Sequence, residues 1–141
     1  MRRTRAIDLG VVVALGALVA WAGGSAVGDD DGGRNDGPVI AVTGWDSYPT
    51  AQITGQLRLV RGCLLIGESV AFWAAGTSWD AARQEVELED ATAVRVGDDF
   101  AGGGGHYSEA GLDGLGGVDA GAVSTCLRRT GADDAVVATS P

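Results

Sequence analysis

The sequence predicts a mainly β protein: a small antiparallel barrel or sandwich of about six or seven short strands, preceded by an N-terminal hydrophobic helix. Beyond residue 40, short segments alternate between apolar and polar side chains, which is the period of a half-buried strand. Turn residues separate these segments at intervals typical of small sandwiches and barrels. A long apolar run near the N-terminus supplies the predicted helix.

Residues 1–28 have the layout of a signal peptide or of a single-span membrane anchor. Arg2, Arg3 and Arg5 precede an uncharged, largely apolar run over residues 9–27. This run has about the ~20 residues that span a bilayer, so its length leaves both interpretations open. In both interpretations, the positive-inside bias keeps the three arginines in the cytoplasm and places the rest of the chain on the other side of the membrane. We therefore predict a secreted or cell-envelope protein outside the cytoplasm.

Residues 29–40 are acidic and rich in glycine, so we interpret them as a solvated linker to a β domain at residues 41–141. From Asp29 onward there are 18 acidic residues and seven arginines, a net charge of about −11. This charge excludes a nucleic-acid partner, because binding a polyanion requires the opposite sign. The chain contains no lysine, which excludes a Walker-type phosphate loop and Schiff-base chemistry.

The strands are expected in two groups. Residues 53–60 alternate, and residues 63–66 and 69–73 complete a three-stranded meander. Residues 85–88 and 92–96 form the arms of a hairpin.

Glycine is so frequent after Phe100 that long regular elements are not expected there. Ser108 is a candidate cap for a short helix, and residues 122–127 and 134–138 are the last predicted strands. The glycine run at 102–105 lacks the Lys-Ser/Thr of a phosphate loop, so we interpret it as a barrel corner, a bulge or a hinge.

Cys63 and Cys126 are the only cysteines, and in an exported chain each is the other's only intramolecular partner. We therefore predict a Cys63–Cys126 disulfide. No C-x-x-C motif is present to indicate a redox-active pair instead.

His106 is the only histidine, so a multi-histidine metal site within one subunit is impossible, and we expect no metal and no cofactor. The best candidate polar site combines Asp98, Asp99 and His106, although acidic residues at a strand end are also common in turns. His106 itself is expected to be an exposed loop residue with acidic neighbours. Among the aromatic residues, Trp73, Trp79 and Tyr107 are candidate ligand contacts, with core packing as the alternative role.

Several short motifs occur in a fixed order: Gly55-Gln56-Leu57, Gly62-Cys63-Leu64 and Val94-Arg95-Val96-Gly97-Asp98, followed by the glycine cluster. This order resembles small exported proteins of actinomycete-type bacteria that carry G-x-L, G-C-L, W-P-x-G-T and V-x-V-G-D motifs and have no characterised function. Ala74 occupies the position of the proline in the third motif. The resemblance implies a compact β-rich domain and supplies no catalytic residues.

We expect a non-catalytic β domain, exported or anchored in the membrane through an uncleaved N-terminal segment, that binds an envelope partner or a small ligand. The alternative is a small carboxylate-dependent hydrolase acting on envelope material.

Overall fold

The computed structural model describes residues 37–141 of the chain. The predicted N-terminal helix and most of the predicted linker lie outside this range. The folded core begins slightly before the predicted boundary, because Val39 is already buried against the barrel interior. Within the described range, no helix is both long and apolar enough to cross a membrane.

Eight strands and two helices follow one another along this part of the chain. They are β1 (Ala51–Val60), β2 (Cys63–Ile66), β3 (Ser69–Trp73), β4 (Ser78–Asp80), β5 (Glu85–Glu87), β6 (Ala93–Arg95), β7 (Asp99–Ser108), α1 (Glu109–Leu112), α2 (Ala120–Thr130) and β8 (Asp134–Thr139). The predicted meander corresponds to β1–β3, and the predicted hairpin corresponds to β5 and β6.

Five strands close into a barrel in the order β1-β2-β3-β8-β7. After the meander, β7 returns to pair with β1, which is a Greek-key connection. β8 lies between β3 and β7, parallel to β3 and antiparallel to β7. The predicted mainly β barrel is confirmed, with one parallel pair that the antiparallel interpretation did not include. A long connection makes this pair possible, since parallel neighbours cannot be joined by a hairpin.

Tight turns set the register of the meander. Arg61 and Gly62 connect β1 to β2 and have φ values of 51° and 78°, as a two-residue type I′ turn requires. Gly67 begins the β2–β3 turn with φ of 62°. These turns hold Leu57 opposite Ile66 and Arg58 opposite Leu65.

Alternation along the strands divides the apolar residues between two cores. Leu64 and Ile66 point into the barrel, whereas Cys63 and Leu65 belong to a second core between the outer face of the barrel and the helices. The small sheet β4-β5-β6 covers one end of the barrel, where its Val86 joins the interior cluster. We call the opposite end, where β3 and β8 begin and β7 ends, the barrel rim.

The predicted strand at 122–127 was wrong, because these residues lie in helix α2. Asp119 caps the helix by accepting a hydrogen bond from the backbone of Ala122, at 2.9 Å. Gly131 ends it in the left-handed conformation, with φ of 74°. Buried Val123, Cys126 and Leu127 recur at helical spacing, so the apolar residues of this segment follow a period of 3.6 and not of two.

The predicted corner or hinge at residues 102–105 was also wrong, because all four glycines lie within β7. A Cβ on Gly104, where φ is 152°, would overlap the carbonyl oxygen of Val137 on β8. A Cβ on Gly102 would overlap the carbonyl oxygen of Thr139 on the same strand. The glycines therefore let two strands approach closely and do not mark a turn.

The predicted disulfide is present, with the Sγ atoms of Cys63 and Cys126 2.06 Å apart. Cys63 begins β2 and Cys126 lies in α2, so the bond joins the helix to the outer face of the barrel. Ser108 caps α1 as predicted, since its hydroxyl accepts a hydrogen bond from the backbone of Gly111.

Candidate functional site

The structure does not bring the predicted polar site together. Asp99 begins β7 and His106 lies seven residues further along the same strand, roughly 23 Å away at ~3.3 Å per residue. Asp98 is a turn residue whose carboxylate accepts a hydrogen bond from the backbone of Arg95, at 3.3 Å. The structure thus places His106 on a strand at the barrel rim, not in a loop beside these two aspartates.

The three candidate aromatic residues occupy different environments. Trp73 is fully buried in the barrel interior and packs edge-on against Phe100, with ring centroids 5.9 Å apart. An external ligand cannot reach it, and the core-packing alternative is the correct one for this residue. Trp79 lies on β4, where its ring contacts the backbone of Gly37 and the interior cluster.

Tyr107 belongs to a half-buried aromatic cluster with Trp45 and Tyr48 above the buried Phe72. The indole nitrogen of Trp45 donates a hydrogen bond to the carbonyl of Gly116, and the Tyr48 hydroxyl accepts one from a backbone amide. Both polar ends are engaged by backbone groups. The cluster therefore acts as the outer cover of the second core.

A row of hydrogen-bonded side chains crosses the barrel rim. The buried hydroxyl of Ser69, on β3, donates to Asp134 Oδ1 at 2.6 Å. The other carboxylate oxygen of Asp134, on β8, accepts from His106 Nδ1 at 2.8 Å. The carboxylate holds Nδ1, so the ring is oriented while its side chain stays 56% exposed.

This row is not the arrangement of a serine hydrolase. In a Ser-His-Asp triad the hydroxyl hydrogen-bonds to the imidazole, which then accepts its proton. Here Ser69 hydrogen-bonds to the carboxylate, so His106 cannot activate it. The chemistry that remains is that of an oriented imidazole facing solvent, able to accept or donate a proton at Nε2.

Sequence reasoning missed Asp134 as the partner of His106. The sequence carries only an indirect indication of this pair. His106 and Asp134 lie on the same face of neighbouring strands because β7 continues through the glycine run.

A cleft of about 240 Å³ lies next to this row, on the outer face of the barrel. We call it the α2 cleft, because the loop after α2 forms one of its walls. The β1–β2 hairpin forms the other wall, and the β2–β3 turn closes one end. The lining residues are Arg58, Val60, Leu65, Glu68, Thr130, Gly131, Ala132 and Asp133.

Side-chain hydrogen bonds hold the walls of the α2 cleft in place. At one end, Arg61 Nη1 donates to the carbonyl of Arg129 in the last turn of α2, at 2.7 Å. At the other end, the bond between Ser69 and Asp134 joins the β2–β3 turn to the start of β8. The cleft is thus fastened at both ends by contacts within the domain.

Within residues 37–141, no group of three or more His, Cys, Asp or Glu side chains is arranged to hold a metal ion. Hydrogen bonds from the backbone and side chain of Thr92 lower the pKa of the Asp90 carboxyl group. Asp90 lies in the turn before β6 and away from the cleft.

Comparisons with protein families, with curated proteins and with solved structures find no match to this chain.

Proposed function

We propose that this chain is a non-catalytic ligand-binding domain of the cell envelope, held at the membrane by its N-terminal segment or released by cleavage of that segment. The observation that carries the proposal is the α2 cleft, a concave site with an apolar floor and charged walls that is fastened at both ends. Its volume of about 240 Å³ lies below the ~300–1,000 Å³ typical of pockets for drug-sized ligands, so it suits a very small molecule or the end of a larger one.

The position of the cleft in the fold supports the proposal by analogy. OB-fold barrels, which are also five-stranded Greek-key barrels, bind ligands at the second and third strands and at the loops between strands one and two and between strands four and five. The α2 cleft lies between the equivalent connections, the β1–β2 hairpin and the segment that joins β7 to β8.

The same analogy indicates why the ligand would be small. The outer face of β2 and β3 is covered by α2 and fastened to it by the disulfide, which leaves Leu65, Val70 and Phe72 buried. A long oligomer cannot lie along this face. The α2 cleft, at the end of the helix, stays accessible.

The proposal is tested by following backbone amide resonances of the full chain during titration with mixtures of amino acids, short peptides and small sugars. We expect saturable shifts at residues 65–68 and 130–133. Ala132→Trp, which fills the cleft, should abolish them, whereas Ala82→Trp in the exposed β4–β5 turn should leave them intact. If no mixture shifts the cleft amides, or if Ala82→Trp acts like Ala132→Trp, the binding function is wrong.

Export is tested separately by sequencing the N-terminus of the mature chain. A start between residues 20 and 30 would identify a cleaved signal peptide. A start at Met1 or Arg2, with the chain in the membrane fraction, would identify the retained anchor.

The oriented imidazole of His106 favours a second candidate, a small hydrolase that uses the His106–Asp134 pair as general base. In this candidate the general base is the His106–Asp134 pair and not the pair Asp98–Asp99, whose carboxylates are remote from the imidazole. Hydrolysis of an activated ester should then fall in His106→Gln and Asp134→Asn, while the double variant Asp98→Ala/Asp99→Ala keeps its activity. An activity that is no higher in the wild type than in His106→Gln would refute the hydrolase.

A further inference from the structure

We infer that the α2 cleft recognises a small zwitterion, an amino acid or dipeptide with free termini. This inference rests on the proposed ligand-binding function and adds the chemical class of the ligand. It follows from how charge is distributed over the two walls of the cleft.

Positive charge in the cleft is provided by Arg58 on the strand wall. Arg58 lies opposite Leu65, so both side chains point to the outer face of the barrel. Its Nη1 donates to the carbonyl of Gly67 at 3.1 Å, which directs the guanidinium along the β2–β3 turn and leaves its other N–H groups available. A carboxylate can accept two of these bonds side by side.

Negative charge is provided by Glu68 in the β2–β3 turn and by Asp133 in the loop wall. Among the described residues, neither carboxylate has an ion-pair partner, and neither does Arg58. An ammonium group is therefore favoured on the loop wall, beside Asp133.

Only a ligand with both charges complements both walls. A ligand with only a carboxylate would be repelled by the two carboxylates of the cleft. A ligand with only an amine would leave the charge of Arg58 unpaired. Between the charges, Val60 and the buried Leu65 offer a short apolar floor for an aliphatic side chain. Because the charged groups are exposed, binding is expected to be weak, with a Kd on the order of 1 mM.

Three probes of nearly equal size test the inference on the full chain: L-alanyl-L-alanine, its N-acetyl derivative and its C-terminal amide. Affinities are read from the shifts of the cleft amides at low salt, because salt screens exposed charges. We expect each capped probe to bind about tenfold more weakly than the free dipeptide, since each loses one charged hydrogen-bond partner.

Two variants assign the charges. Arg58→Gln should weaken the free dipeptide but leave the amide-capped probe unaffected, because that probe has no carboxylate for Arg58. Asp133→Asn should weaken the free dipeptide but leave the N-acetyl probe unaffected. Arg83→Gln, in the β4–β5 turn, is the matched control and should change none of the affinities. Unchanged amide spectra outside the cleft show that each variant is folded.

The outcomes separate this inference from the proposed function. Equal affinity of all three probes at the cleft overturns the zwitterion and leaves the binding function intact. An affinity for the free dipeptide that is the same in Arg58→Gln, in Asp133→Asn and in the wild type also overturns the zwitterion. If neither these probes nor the broader mixtures shift the cleft amides, the inference and the proposed function both fail.

Discussion

Reduction of the Cys63–Cys126 bond is expected to lower the free energy of unfolding by about 4 kcal/mol. The two residues are 63 positions apart, and closing a loop of that length restricts the unfolded chain by an entropy worth about 4 kcal/mol at 25 °C. A domain of ~100 residues has a total stability of roughly 5–15 kcal/mol. The bond therefore supplies a large share of what keeps this glycine-rich domain folded.

The assay is guanidinium unfolding of the full chain, followed by tryptophan fluorescence with and without reductant. The expected loss corresponds to a fall in the unfolding midpoint on the order of 1 M. Since α2 is joined to the barrel through this bond, hydrogen exchange of the reduced protein should accelerate first in α2 and later in the barrel strands.

The double variant Cys63→Ala/Cys126→Ala is the matched control for effects of the reductant, and its stability should not respond to reductant at all. A reduced wild type that unfolds within about 1 kcal/mol of the oxidised form would refute the loop-entropy reasoning. Such a result would mean that the reduced unfolded chain is already restricted by residual structure.

Substitutions at Gly104, Trp73 and Asp90 probe the fold. Gly104→Ala should lower stability by at least about 2 kcal/mol, because its Cβ would overlap backbone of β8, whereas Gly114→Ala, which has open space, should be nearly neutral. Trp73→Ala should lower stability by about 3–5 kcal/mol, because it empties the core. Trp73→Phe should lower it by under about 1.5 kcal/mol, because the loss of packing is partly offset by the removal of a buried indole N–H that has no partner. Hydrogen bonds from Thr92 lower the pKa of Asp90 below 3.8, so its carboxylate stabilises the fold above that pH and loses this effect as the pH falls further. Asp90→Asn should therefore have the shallower loss of stability in acid.

Thermal and guanidinium unfolding measure the glycine and tryptophan variants, and unfolding at a series of acidic pH values measures the aspartate variant. A neutral Gly104→Ala would contradict the close approach of β7 and β8. A loss in Trp73→Phe as large as in Trp73→Ala would show that the indole N–H has a partner. Parallel acid profiles of Asp90→Asn and the wild type would refute the role of the turn carboxylate.

The first half of the barrel could be predicted because its signals are local. The strand at 53–60 alternates visibly, and Arg61-Gly62 and Gly67-Glu68 interrupt the apolar runs where hairpin turns occur. A two-residue turn leaves little freedom in register. The disulfide could be predicted for a different reason, since two cysteines allow only one intramolecular pairing.

In the second half, the strand at 134–138 and the Ser108 cap were predicted, but three features could not be predicted from local signals. Glycine at 102–105 usually indicates a bend, and only the proximity of Val137 and Thr139 explains its use in a strand. The segment at 122–127 contains Val, Thr and Cys, which are acceptable in strands. It forms a helix because Asp119 caps one end and Gly131 caps the other. The His106–Asp134 pair followed neither from composition nor from spacing, because it requires the register of β7 and β8.

The position of β8 between β3 and β7 also affects how the domain can fold. β8 is the last strand of the barrel along the chain, and its partners precede it by 26 to 36 residues on β7 and by 65 residues on β3. Before it is in place, β3 and β7 each present an open edge, and open edges invite pairing with other chains. Folding that waits for such distant contacts is slow. A chain delivered from its N-terminus would thus keep both edges exposed until β8 arrives, and the barrel would then close in a single late step.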